Sequence, residues 1–143
     1  MKELNTISYF DISYTDSVIK NIQDMNYKIY NIDGNIITTM EDLFVLIKEE
    51  FPQDPPLSGR VNFDALTDSL WGGFEGQDAE KAAIIWGNPN KLMDFDKYRF
   101  EKLIQCIEEL AETLTIKEYG IDKPTVLKLV LLGEGPLFSR FDM

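Results

Sequence analysis

The chain has 143 residues, 44% of them hydrophobic, and a formal net charge of −11 from 25 acidic and 14 basic side chains. That size and apolar content fit one domain with its own core, while the acidity disfavours nucleic acid or an anionic membrane surface as a direct ligand, since both reward Lys and Arg clusters. A basic protein partner is the natural complement, because opposite fields accelerate association, although acidity also serves plain solubility.

In chain order, residues 1–26 form an N-terminal extension. Ile7, Tyr9 and Asp11 alternate like a short strand, and Val18, Ile19, Ile22 and Met25 recur at helical spacing, which predicts a βα unit packed on the main body. Tyr27–Ile32 then reads as a strand, and Asp33-Gly34-Asn35 as a turn in which glycine accepts positive φ. Thr38 with Glu41 makes a capping box for a helix running to about Phe51, with Met40, Leu43, Phe44, Ile47 and Phe51 inward. Pro52 stops it, and Gln53–Gly59 with Pro55-Pro56 is a stiff connector.

A second helix is predicted over Asn62–Trp71, capped by Asn62 and ended by Gly72-Gly73. Ala82–Trp86 is a continuous apolar run of strand length, followed by Gly87-Asn88-Pro89. A long helix covers about Phe95–Glu118, with Tyr98, Leu103, Ile107, Leu110 and Leu114 inward and Gly120 beyond it. Val126–Leu132 is the last strand. In the tail, residues 134–143, Leu137, Phe138 and Phe141 are expected to dock. Helices separating short apolar strands over residues 27–133 predict an α/β domain with a small three-stranded parallel sheet packed with helices.

The helix at Asn62–Trp71 carries the most chemistry. Phe63, Leu66 and Leu70 share a core-facing side, while Asp64, Thr67, Asp68 and Trp71 share the other. Carboxylates at i and i+4 repel by roughly 0.2–0.5 kcal/mol, which a solvated face tolerates. An exposed tryptophan beside them reads as a binding anchor, and Gly72 would let a partner's backbone approach; equally, Trp71 turns into the core at the helix end. Glu108, Glu109 and Glu112 lie on the outward side of the long helix. If the two helices are neighbours, their carboxylates form one negative surface, which Glu75, Asp78 and Glu80 extend.

Catalytic constellations are not expected. The chain has no histidine, which excludes Ser-His and Cys-His pairs and most zinc sites. Asp94, Asp96 and Tyr98 lack the glycine and terminal glutamate of a calcium loop, and Gly133-x-Gly135 is followed by proline, not by a phosphate-binding helix. A carboxylate-pair glycosidase would need a cleft and a carbohydrate-positioning element. No metal or cofactor is therefore expected. Cys106, the only cysteine, suits a reducing compartment, and its neighbours Ile104, Ile107 and Leu110 predict an inert buried thiol. The N-terminal MKELNTISYFDISYTD has no apolar h-region, and no apolar run approaches membrane-spanning length. A soluble, cytoplasmic protein, monomeric when free, is expected.

The stretch NFDALTDSLWG, preceded by a Pro-rich connector ending Ser58-Gly59 and followed by the strand AAIIW, resembles the barstar family of intracellular ribonuclease inhibitors. The similarity extends to YKIYNIDGN, to TTMEDLFVLIKEEF and to the long helix before VLKLVLL, covering roughly residues 27–133. The resemblance implies a non-enzymatic immunity-type protein whose acidic helix blocks the active site of a basic ribonuclease or related toxin. On that basis Asp64 and Asp68 match the two aspartates that fill the nuclease's phosphate-binding site, and Glu109 and Glu112 match the acidic helix that completes the contact. Gly72 matches a backbone position at the end of the inhibitory helix. Thr67 stands where the family has a tryptophan, with Trp71 one turn later, and Leu57-Ser58 stand where it has tyrosines. Those departures bear on the identity of the target more than on the mode of binding, and leave an adaptor for another basic protein as the alternative.

Overall fold

The computed structural model describes residues 4–77, 79–115 and 124–139. Four parallel strands, β1 (Ile7–Asp11), β2 (Lys28–Asp33), β3 (Lys81–Gly87) and β4 (Val126–Gly133), form one sheet in the order β1-β4-β3-β2. The sheet therefore has four strands, not three. The extra strand comes from the N-terminal extension, whose Ile7 lies opposite Leu129 on β4. The sequence alternation in β1 was legible, but its partner lies at the other end of the chain.

Among the described residues, five α-helices pack around the sheet: α1 (Thr15–Asp24), α2 (Met40–Glu50), α3 (Phe63–Glu75), α4 (Asn90–Phe95) and α5 (Lys97–Thr113). Because successive strand residues point to opposite faces, the central strands feed two cores. Ile84, Trp86, Leu129 and Leu131 join α2, α3 and α5 side chains in the larger one. Ala83, Ile85, Val130 and Leu132 join Val18 and Ile22 of α1 in the smaller one. Covering both faces explains why β3 and β4 read as unbroken apolar runs.

Local chemistry fixes the connections, sometimes differently from the sequence reading. The capping box at α2 uses Thr39 and Asp42, one residue beyond the predicted pair: Asp42 N–H donates to Thr39 Oγ1 at 3.1 Å, and Thr39 N–H to Asp42 Oδ2 at 3.1 Å. Gly34 is needed for close approach, since a Cβ there would collide with the carbonyl oxygens of Gly87 and Asn88. The predicted long helix is α5, which starts at Lys97 because Asp96 caps it, accepting from Arg99 N–H at 3.2 Å, and the short α4 before it was not expected. The Arg99 guanidinium then pairs with Asp96 at 2.7 Å and with Glu41 at 2.8 Å, tying α5 to α2. Tyr98 is 76% exposed and does not turn inward. In the tail, Phe138 docks on Tyr9 with ring centroids 5.8 Å apart, whereas Leu137 is exposed. The predicted end of the long helix at Glu118-Gly120 and the docking of Phe141 lie outside the described residues, as does Asp78.

The capping box supplies a test. Thr39→Ala is expected to cost about 1 kcal/mol of stability, measured by urea denaturation at neutral pH. Hydrogen bonds from the Thr39 and Thr38 backbone hold the Asp42 carboxyl below the usual carboxylate range. A depressed folded pKa stabilises above the unfolded value of about 3.9 and is lost as pH falls through the folded one. The stability difference between the parent and Asp42→Ala should therefore be full at pH 7 and fade in acid below pH of about 4.

Candidate functional site

The local geometry of α3 follows from its caps and its glycines. Asn62 Oδ1 accepts from Ala65 N–H at 3.1 Å, closing the first turn, and Asp64 lies in that turn, where the helix dipole favours negative charge. Leu66, Ser69, Leu70, Gly73 and Phe74 are buried, while Asp64 and Asp68 are exposed. Phe63 is half-buried and stacks edge-on against Phe44. The helix does not end at Gly72-Gly73 but runs to Glu75. The two glycines admit the connector instead: a Cβ at Gly72 would strike the Asp54 carbonyl, and one at Gly73 the Pro52 carbonyl. Asp54 N–H also donates to the Ser69 carbonyl at 2.9 Å, so the connector is fastened across α3.

Helices α3 and α5 pack side by side. Between them runs an open groove of about 420 Å³ lined by Val61, Asn62, Phe63, Asp64, Lys102, Gln105, Cys106 and Glu109. Gln105 and Glu109 also line an adjoining groove of about 540 Å³, with Glu108, Glu112, Thr6 and Lys128 on its walls. Asp64 of one helix and Glu109 and Glu112 of the other thus belong to one surface. Ion pairs among the described residues involve Arg99 alone, so these carboxylates form none there. Among the described residues lining the first groove, Lys102 is the one cation, and it lies 5.6 Å from the Phe63 ring centroid.

Contrary to what its neighbours suggest, Cys106 is not fully buried in the core. It is half-buried in the groove wall, and its pKa is raised mainly by burial, with Glu109 and Asp64 adding to the rise and a hydrogen bond with the Thr67 side chain opposing it. Thr67 therefore sits at the α3–α5 contact, where its hydroxyl also donates to the Phe63 carbonyl at 2.9 Å.

The other predicted residues spread out. Asp68 is exposed one turn beyond Asp64 and outside the groove lining. Trp71 is half-buried and packs against the larger core. Gly72 meets the connector backbone, so that contact already occupies the approach expected for a partner. Leu57 is only 6% exposed and belongs to the core, so its side chain offers nothing to a partner, whereas Ser58 is exposed. Lys102, Gln105 and Cys106 were missed as groove residues. The spacing of 102, 105, 109 and 112 was the available signal, because residues three and four apart share a helix stripe.

Chemically, an open acidic surface without histidine can accept hydrogen bonds from guanidinium and ammonium groups. The fold and this surface together define a parallel α/β domain with an acidic two-helix face. A family model described as Barstar (barnase inhibitor) matches residues 27–128, and the chain belongs to the barstar family. That description names an inhibitor of an enzyme, not an enzyme. No individual curated protein matches the chain. The matched span runs from the start of β2 into β4 and leaves β1 and α1 outside it.

Proposed function

We propose that this protein is an intracellular immunity-type inhibitor, acting in the cytoplasm, which binds a basic ribonuclease or related toxin and covers its active site with the α3–α5 face. The observation that carries the reading is that Asp64 and Glu109, from different helices, line one groove without an ion pair among the described residues. Such carboxylates stand in for substrate phosphates against a nuclease's Arg and Lys side chains, and they gain strength as water is excluded. Asp68 and Glu112 extend the face on either side.

The direct experiment titrates the protein into an RNA-cleavage assay with barnase-type ribonucleases at low and high salt. Stoichiometric inhibition that weakens as salt screens the charges supports the proposal. Inhibition indifferent to ionic strength would sink the electrostatic mechanism. Lys102 gives a second handle, because a cation among the carboxylates opposes a basic partner. Lys102→Gln is expected to speed association by about threefold at low salt, as read by stopped-flow fluorescence, with little change at high salt.

The runner-up is an adaptor that uses the same acidic face on a basic protein without nuclease activity. Burial of Leu57 and the core packing of Trp71 favour it, since both remove contacts that a nuclease complex would otherwise use. Tight, salt-sensitive binding to a partner that does not cleave RNA would select this reading.

A further inference from the structure

The two edges of the sheet are finished differently. Along β1 the chain's own tail covers the strand: Ser139 N–H donates to the Tyr9 carbonyl at 3.2 Å, and Asp11 N–H donates to the Ser139 carbonyl at 2.8 Å. At the other end of the sheet, β2 pairs with β3 alone, and no hydrogen bond reaches its outer backbone edge among the described residues. An uncovered strand edge is a template for another strand.

Beside that edge, a groove of about 420 Å³ opens between β2 and α2, lined in part by Asn31, Asp33, Ile36, Val45, Glu49 and Glu50. Ile36 is 67% and Val45 52% exposed, so two large apolar side chains meet water next to unpaired backbone. Glu49 and Glu50 occupy the last turn of α2, where the helix dipole disfavours negative charge. Neither has an ion pair among the described residues. Their charge is costly to the isolated protein and complementary to a cation.

We propose that the β2 edge is a second docking surface, which takes an extended, basic segment of a partner protein as an added strand. The face of the added strand that looks toward α2 covers Ile36 and Val45 and, further along, sets Lys or Arg side chains against Glu49 and Glu50. A second copy of this chain does not fit, because pairing β2 with itself would bring the acidic clusters of two molecules of net charge −11 together. The groove at β2 shares no lining residue with the two grooves along α5. Occupancy of the β2 edge is therefore independent of inhibition, and both surfaces can be filled at once.

The test uses the isotope-labelled full chain and an eight-residue peptide with two valines and two lysines on one strand face and threonines on the other, at low ionic strength, read by amide chemical shifts. Saturable shifts at Asn31, Asp33, Ile36 and Val45 are expected, with at least tenfold weaker binding to Val45→Lys and to the double variant Glu49→Lys/Glu50→Lys. The double variant relieves an unfavourable helix end, so unchanged or higher thermal stability separates lost binding from lost folding. A peptide with alternate residues N-methylated, on the face that supplies N–H donors, should not bind. Shifts confined to Asp64, Gln105 and Glu109 would overturn the proposal. Equal binding of the N-methylated peptide, or of the same peptide with glutamate in place of lysine, would overturn it too. Self-association abolished by Val45→Lys would put a second copy on this edge and exclude the basic partner segment proposed for it.

Discussion

Gly73→Ala is expected to destabilise the protein by about 2 kcal/mol, although helix propensity alone predicts the opposite sign. Inside a helix, alanine is better than glycine by about 1 kcal/mol. Here the added Cβ would run into the Pro52 carbonyl and the Gln53 nitrogen, which are backbone atoms and not the movable end of a side chain. That backbone is held from both sides. Gln53 Nε2 donates to the carbonyls of Ile47, Lys48 and Phe51, closing the end of α2, and Asp54 N–H is bonded to Ser69 on α3. Overpacking against a fixed neighbour costs roughly 1–3 kcal/mol and sometimes more, so the collision wins. Urea denaturation of Gly73→Ala beside Gly87→Ala, whose Cβ would meet nothing within 4 Å, isolates the steric part. A more stable Gly73→Ala would mean that the connector is not seated on α3.

The second large effect falls on binding, with stability moving the other way. Asp68→Ala is expected to weaken the complex by at least about 2 kcal/mol, the threshold of an interface hot spot, or about thirtyfold in Kd. Removing one of two like charges at i and i+4 relieves roughly 0.2–0.5 kcal/mol of repulsion, so the free variant should be slightly more stable. Asp64→Ala should also weaken binding, but it gives up a favourable charge in the first turn of α3. Asp16→Ala, an exposed carboxylate on α1, removes the same net charge far from the face. Isothermal titration of the three variants separates contact from general steering: equal losses in all three would leave only the net charge as the cause.

How much of this was legible depended on whether the deciding contact was local. The unbroken apolar runs of β3 and β4 announced burial on both faces, and Asn62 announced the start of α3. The α2 cap was ambiguous by one residue because Thr38 and Thr39 each have a carboxylate three positions on, and only the folded backbone selects Thr39 with Asp42. Gly72-Gly73 carried two readings, a helix end or a close crossing, and the crossing chain is Pro52–Asp54. Leu57, in a Pro-rich connector, looked exposed because nothing nearby in sequence shows that it enters the core. At the candidate site, the acidic stripes of α3 and α5 were each readable. Their adjacency was not, and with it went Lys102 and the half-exposed Cys106.

The pairing of β1 with β4 also sets a clock. β1 must wait for β4 before its sheet hydrogen bonds have a partner, since Ile7 lies opposite Leu129. At synthesis rates of roughly 5–20 residues per second that delay is on the order of ten seconds. Pairings this distant also slow folding, because the connecting chain must be closed before the contact rewards it. Meanwhile Val18 and Ile22 of α1 can meet Ala83 and Ile85 of β3 but lack Val130 and Leu132 of β4. β1 is therefore made well before the strand that completes its pairing, and its edge stays open for that interval.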